Sequence, residues 1–300
     1  MLKIYIDGQA GTTGLALEER LLELGKAVEI ELLKIADNLR KDHDERKRLL
    51  NLADVVFLCL PDAAAKESVA MIDNPNTVII DASTAHRSHP EWIYGFPELS
   101  AQQYESITTA NRIAVPGCHA TGFIALIYPL IQSGLIQTTD ELYCHSLTGY
   151  SGGGKQMIVD YEETSVHAKS GPSAAWMYAL DLEHKHLPEM KHVTGLKNDP
   201  LFVPVVVPTY KGMIVQVPLM MDASRLHEKL AAYYAGSKTL KVLAFKAVNA
   251  LQIENDLPGD GLEIYVFGNE SQAVIAARLD NLGKGSSGAA VQCMKVRFGL

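Results

Sequence analysis

Five short apolar runs in the first 115 residues, separated by stretches of helical periodicity and turns, constrain this chain more than any other feature. They fall at residues 2–6, 28–33, 53–60, 77–81 and 112–115. The run 53–60 is apolar at nearly every position, as a parallel strand buried on both faces must be. Amphipathic or charged helical stretches lie between the runs at 15–22, 44–52 and 63–72. Strands and helices alternating at this rhythm predict an α/β fold with a Rossmann-like, doubly wound parallel sheet.

The turn between the first strand and first helix reads Asp7-Gly8-Gln9-Ala10-Gly11-Thr12-Thr13-Gly14. Its glycines permit close backbone approach, and the helix behind it offers unpaired N–H groups. Those are the two requirements of a dinucleotide pyrophosphate. The spacing is GxxGxxG, not the commoner GxGxxG. An acidic residue closing the second strand would receive a ribose 2′-hydroxyl and favour NAD. Here the strand closes on Leu33-Lys34-Ile35, with Arg40 and Lys41 following. A cation there suits a 2′-phosphate and hence NADP, and a solvated loop lysine is the competing reading of Lys34. The segment 82–87, holding Ser83 and Arg87, follows the fourth run at the sheet end where ligands bind in open α/β folds. Arg87 reads either as an anion clamp or as one half of a surface salt bridge.

After the run 112–115 come Pro116, Gly117 and Cys118, and then apolar residues at helical spacing. Pro116 disfavours helix at Val115, so the strand stops there, and Gly117 allows a sharp turn. Cys118 therefore sits at a helix N-terminus, where unpaired N–H groups and the helix dipole favour a thiolate. The alternative is a small buried apolar residue, the ordinary fate of a free cysteine.

From residue 141 the pattern changes to alternation, at 141–147, 201–207, 211–220, 240–248 and 261–268. This predicts a second, α+β catalytic domain with a mixed or antiparallel sheet. Within it the glycine-rich loop 148–155 ends in Lys155 and either wraps a substrate or merely turns the chain. His184 and His186 occupy alternate positions and are candidate proton carriers or hydrogen-bonded structural residues. The stretch 286–294 reads as a helix of small residues that returns to cover the nucleotide domain. The expected division is 1–117 for NADP binding, with 284–300 packing back on it, and 118–283 for catalysis and substrate binding.

Composition removes several classes. A net charge of −8 with no basic face argues against nucleic acid as a partner. No apolar run approaches the ~20 residues of a membrane span. A chain opening directly on a strand shows no signal or transit peptide. The four cysteines, 59, 118, 144 and 293, form no CxxC pair, which fits reduced thiols in a cytoplasmic protein and no metal site.

Taken together, the residues from Gly8 to Gly14, Tyr94-Gly95-Phe96-Pro97-Glu98-Leu99, Pro116-Gly117-Cys118, Ser151 to Lys155, His184-Lys185-His186-Leu187-Pro188-Glu189 and Asp280 to Gly288 are recognisable in order and spacing. The sequence resembles the N-acetyl-γ-glutamyl-phosphate reductases of arginine biosynthesis, in their shorter subfamily, over essentially its whole length. The related aspartate-semialdehyde dehydrogenases share the glycine turn and the cysteine but not the His-x-His-x-Pro-Glu stretch. His119 and Ala120 depart from the longer subfamily, which has an aromatic and a proline after its cysteine, and 82–87 matches loosely.

The resemblance implies NADPH-dependent reduction of N-acetyl-L-glutamyl 5-phosphate, a small-molecule acyl phosphate, to the 5-semialdehyde with release of phosphate. It implies Cys118 as nucleophile and His186, with His184 beside it, for acid–base work. It also implies Gly8, Gly11, Thr12, Thr13, Gly14, Lys34 and Ser83 at the cofactor, with Asn281 and Gly283 near its nicotinamide. Arg87, Lys155 and Glu189 are then the residues for substrate, and the assembly is a homo-oligomer, a dimer or tetramer. The rivals are a sister dehydrogenase acting on an aspartyl or aminoadipyl phosphate, and a non-catalytic NADP-binding regulator.

Overall fold

The structure is a computed structural model and describes residues 1–167 and 174–300. The chain divides into two units, Met1–Pro116 with Ser286–Leu300, and Gly117–Gly285. It crosses from the first to the second immediately before Cys118.

The first unit is built on β1 (Leu2–Asp7), α1 (Thr12–Leu24), β2 (Ile30–Leu33), α2 (His43–Leu52), β3 (Val55–Leu58), α3 (Asp62–Met71), β4 (Val78–Asp81), β5 (Ile93–Tyr94), α4 (Ala101–Thr109) and β6 (Arg112–Ala114). Its six strands form one sheet in the order β2-β1-β3-β4-β6-β5, parallel throughout. Burial of alternate residues on opposite faces explains why the central strands are so largely apolar, β3 throughout. Ile4, Ile6, Val55, Phe57, Val78, Ile80 and Ile113 pack on one face, with Leu17 and Leu21 of α1. Tyr5, Val56, Leu58, Ile79 and Ala114 pack on the other, with Leu49 and Leu50 of α2 and Ala65 and Met71 of α3. Each fully buried Val, Leu, Ile, Phe or Met among them, taken from water, contributes roughly 1.5–3 kcal/mol. Side chains cap the scaffold helices α2 and α4: Asp42 accepts from Glu45 N at 2.8 Å, and Ser100 from Gln103 N at 3.0 Å.

The second unit opens with α5 (Cys118–Gln132) and continues through β7 (Tyr143–Gly149), α6 (Gly154–His167), β8 (Trp176–Met177), α7 (Leu187–Thr194), β9 (Leu201–Val207), β10 (Met213–Leu219), α8 (Ala223–Tyr233), β11 (Leu240–Val242), β12 (Leu262–Gly268) and β13 (Ala273–Leu279). Seven strands form a mixed sheet in the order β11-β12-β13-β10-β7-β9-β8. Helix α5 packs on β10 and β13 and is buried almost all round. A Cβ on its Gly122 would lie 2.5 Å from Val215 Cγ2, so helix and sheet meet without room for a methyl group. Pro129 inside α5 has no N–H to give the carbonyl of Ala125 one turn earlier. The Tyr234 hydroxyl supplies that bond at 2.9 Å.

The sequence carries no expectation of β5, β8, β13, α4, α7 or α8, and two segments it does predict have other bounds. The strand foreseen at 240–248 covers Leu240–Val242 alone and pairs parallel to β12, and at Lys246 the chain takes a left-handed φ of +55°. The helix foreseen from 286 starts at Gly288: residues Gly283–Ser287 form a wide turn, and Ser286 is non-helical at φ −159°, ψ −105°. The last helix, α9 (Gly288–Phe298), belongs to the first unit, where Ala289, Ala290, Cys293 and Met294 join the core that holds Ile4 and Ile80.

Candidate active site

Cys118 is the first residue of α5, behind the N-cap Gly117, and no side chain caps this helix. The leading N–H groups of a helix have no partner within it, and such a start suits a thiolate or an oxyanion. The backbone N of Gly117 donates to Glu189 Oε2 at 3.1 Å, and Glu189 is itself 1% exposed in the first turn of α7. Its other oxygen, Oε1, lies 4.0 Å from Nε2 of His186, the N-cap of the same helix. His184 Nδ1 accepts from the backbone N of His186 at 3.1 Å and so fixes the turn before α7.

His119 follows Cys118 and points inward. Its Nδ1 is 2.7 Å from Ser146 Oγ of β7, and its Nε2 is 2.9 Å from Tyr178 OH. The three imidazoles form a compact group, with His119 5.4 Å from both His184 and His186, centroid to centroid, and His184 4.8 Å from His186. Phe202 of β9 presents an apolar wall 5.2 Å from His119 and 5.0 Å from His184. Burial, then repulsion from His184 and Lys185, lowers the pKa of His119 to about 3, so it is neutral at physiological pH. Burial, then the charge of Cys118, pushes the Tyr178 phenol upward. One ligand-type atom each of Cys118, His119 and His186 lie within 4.8 Å of one another.

The other thiols are unlike Cys118. Burial, aided by Asp81 and Asp7, pushes Cys59 up to about 12, and burial alone raises Cys144. Cys293 is fully buried on α9, with its Sγ donating to Gly95 O at 3.3 Å. A methyl group on Gly285 would stand 2.8 Å from the Cβ of Cys118, so Gly285 closes against the nucleophile candidate.

The remaining sequence candidates lie as follows. In the first unit, Gly8 has φ +93° and a Cβ there would meet Cys59 O at 2.3 Å. A Cβ on Gly14 would meet Gly8 O at 2.5 Å. Gly11 is the uncapped N-cap of α1, with Thr12 and Thr13 in the first turn and Thr13 Oγ1 3.4 Å from Ser286 Oγ. Both clashes are with backbone, so the tight turn itself needs Gly8 and Gly14, and a glycine turn leading into a helix N-terminus fits a dinucleotide pyrophosphate. Lys34, directly after β2, is 65% exposed and pairs with Glu18 at 2.8 Å. The hydroxyl of Ser83 donates to Asp81 Oδ2 at 2.7 Å, and Asp81 also holds His86 Nδ1 at 2.6 Å. His86 stacks on Trp92 at 4.1 Å. Arg87 gives Nε to Val115 O at 2.9 Å and Nη2 to Ala82 O at 3.1 Å, bonds that tie it to the ends of two strands.

In the second unit, Asn281 is 2% exposed, accepts from Gly212 N at 2.8 Å and donates to Ser151 Oγ at 2.9 Å. A Cβ on Gly283 would meet Gly259 O at 2.3 Å, a packing reason for that glycine. Lys155 is exposed in the first turn of α6. The structure thus gathers Cys118, His184, His186 and Glu189, and adds His119, Ser146, Tyr178 and Gly285, which the sequence reading passed over. Only His119 carried a signal: a polar residue next to the cysteine on an otherwise apolar helix.

Comparison with known proteins follows the two units. Residues 3–107 match the semialdehyde dehydrogenase NAD binding domain, and residues 118–281 match the semialdehyde dehydrogenase dimerisation domain. The chain is 42% identical to N-acetyl-gamma-glutamyl-phosphate reductase 2 of a Nostoc species, over 99% of this chain and 97% of that protein. It is 44% identical to the N-acetyl-gamma-glutamyl-phosphate reductase of a Chelativorans species, over 97% and 96%. Among solved structures, aspartate semialdehyde dehydrogenase II of Vibrio cholerae, complexed with ASA, superposes with a TM-score of 0.75 at 15% identity, covering 100% of this chain and 98% of that one. Aspartate semialdehyde dehydrogenase with NADP from Candida albicans gives 0.69 at 16% identity, covering 99% and 98%. Likeness at that identity speaks for the fold.

Proposed function

Since the chain belongs to the semialdehyde dehydrogenase family, in its N-acetyl-γ-glutamyl-phosphate reductase branch, we propose that it reduces N-acetyl-L-glutamyl 5-phosphate to N-acetyl-L-glutamate 5-semialdehyde with NADPH. Work in the cytoplasm as a homo-oligomer, a dimer or tetramer, is part of the same reading. So is the assignment of NADP to the first unit and of catalysis to the second. The observation that carries it is the convergence of the Cys118 sulfur and a His186 nitrogen at the start of a buried helix, with Glu189 bonded to Gly117 N and 4.0 Å from His186 Nε2.

An acyl phosphate is a poor hydride acceptor while its leaving group is attached, and a covalent intermediate divides that step in two. His186 takes the proton of the Cys118 thiol. The thiolate attacks the acyl carbon, the C–O bond to phosphate breaks, and the proton passes from His186 to the departing phosphate. A thioester on Cys118 remains. NADPH supplies the hydride that reduces this thioester carbonyl. N–H groups of the first turn of α5 stabilise the resulting thiohemiacetal oxyanion. Collapse then breaks the C–S bond, frees the aldehyde and leaves the thiolate, which a proton from solvent returns through His186 to the starting thiol. Glu189 holds the His186 ring and the Gly117 backbone in register. His119, neutral and fixed by Ser146 and Tyr178, backs the cysteine without exchanging protons. Gly8, Gly11, Thr12, Thr13 and Gly14 bind the cofactor phosphates and Lys34 its 2′-phosphate. Lys155 is the cation for substrate. Arg87, anchored by its contacts to the Val115 and Ala82 carbonyls, is the second cation for substrate.

The test is the reverse reaction. NADP-dependent oxidation of N-acetyl-glutamate 5-semialdehyde should require inorganic phosphate, and aspartate semialdehyde should be at least a hundredfold poorer. Preference for aspartate semialdehyde, or turnover independent of phosphate, overturns the assignment.

A further inference from the structure

The atoms that surround Cys118 suit a second chemistry. One sulfur and two imidazole nitrogens, from the start of α5 and the turn before α7, lie within 4.8 Å of one another. A soft thiolate with borderline imidazoles is a donor set that zinc takes, at about 2.3 Å to sulfur and 2.0–2.1 Å to nitrogen. Tetrahedral coordination at those lengths sets donor atoms about 3.5 Å apart, so the triangle must close by about 1 Å along its longest edge. Rotation of the side chains supplies that movement.

The surroundings are those of a built site. His119 and His186 are 3% and 4% exposed. If His119 turns one nitrogen to a cation, the other keeps its hydroxyl partner, Ser146 at Nδ1 or Tyr178 at Nε2. Such an outer contact fixes the orientation of a ligating imidazole. Glu189, 4.0 Å from His186 Nε2, adds negative charge beside the group. Phe202 closes the apolar side.

We propose that Cys118, His119 and His186 form a three-ligand site for a thiophilic divalent cation of the Zn²⁺ type, and that its occupation shuts the enzyme off by engaging the nucleophile. Binding forms the sulfur–metal bond and releases the thiol proton to solvent, and no electron moves. The binding stands on geometry alone, whereas the loss of turnover rests on the role given above to Cys118.

Cobalt(II) is the probe, titrated into the metal-free whole chain at pH 7.5 without cofactor or substrate. One equivalent should produce a thiolate-to-cobalt charge-transfer band and tetrahedral d–d bands, both displaced by Zn²⁺. Cys118→Ser should abolish the charge-transfer band, and His119→Gln should weaken Co²⁺ binding at least tenfold. Absence of the band, or unchanged affinity in His119→Gln, overturns the site. Should that variant fail to fold, zinc-edge X-ray absorption of the Zn²⁺-loaded wild type decides instead. One sulfur and two imidazoles in the shell support the site, and any other count overturns it. Zn²⁺ should halve turnover at the concentration that displaces Co²⁺. Full turnover with the site demonstrably filled leaves the metal site standing and removes Cys118 from the reaction.

Discussion

The carboxylate of Glu189 stands 4.0 Å from Nε2 of His186 while its second oxygen accepts from the backbone N of Gly117 at 3.1 Å, one residue before Cys118. One buried acid therefore stands beside the proton carrier and holds the start of the nucleophile's helix. This contact spans 72 residues of sequence.

Glu189→Gln separates the two duties, because an amide oxygen still accepts from Gly117 but carries no charge. We expect kcat to fall about tenfold or more with KM little changed, since general acid–base catalysis is worth about 10²–10⁴ and only its alignment is disturbed. Glu189→Ala also strands the Gly117 N–H and should cost about 1–3 kcal/mol of stability. Steady-state kinetics and denaturant titration of both variants check this. Wild-type kcat in Glu189→Gln would show that the charge is not used.

His119 predicts an acid-sensitive fold. Its pKa falls from 6.5 unfolded to about 3 folded, so below pH 6.5 the unfolded chain binds the extra proton and stability drops as pH falls. Between pH 7 and pH 5 this one group removes about 2 kcal/mol. Denaturant midpoints measured with chelator at both pH values, in wild type and His119→Asn, test it. The variant should be less stable at pH 7 yet lose less on acidification, and equal losses in the two proteins would refute the assignment.

Gly285→Ala places a methyl group where Cys118 Cβ stands, 2.8 Å away, so one of the two must move. Overpacking of this kind costs about 1–3 kcal/mol. A displacement of order 1 Å at a reacting centre costs about 10² in rate. The expected result is a fall in kcat and in the rate of Cys118 alkylation by iodoacetamide together, by tenfold or more. NADP affinity measured by titration should be unchanged. Wild-type alkylation would mean that the sulfur tolerates the methyl group.

What could be read from the chain and what could not differ in range. The alternation that defines the first sheet is local, and each strand's apolar run reports burial on two faces, as with Val55–Leu58. Gly8 and Gly14 were legible because close approach needs glycine whatever surrounds it. The Ser146–His119–Tyr178 chain was not, because its members are 27 and 59 residues from His119 and only the fold brings them together. Arg87 and Asn281 show the opposite limit. Their side-chain types suggest ligand contacts, and the sequence does not show that Arg87 also bonds to two backbone carbonyls, or Asn281 to Gly212 N and Ser151 Oγ. No periodicity carries that information.

Lys34 gives the sharpest test of cofactor choice. It follows directly on β2, at the position whose charge selects between a ribose hydroxyl and a 2′-phosphate in this architecture. Its ammonium is 65% exposed and leans on Glu18 at 2.8 Å, a surface pair worth under about 1 kcal/mol that a phosphate readily outbids. Lys34→Asp replaces attraction by repulsion. At a few ångströms in solvent each charge term is about 1 kcal/mol, so the NADPH-to-NADH ratio of kcat/KM should fall at least tenfold. Glu18→Gln releases Lys34 without altering it, and the same ratio should hold or rise. A drop in Glu18→Gln would mean that Glu18 positions the lysine instead of competing for it. An unchanged ratio in Lys34→Asp would mean that the 2′-phosphate is held by another residue.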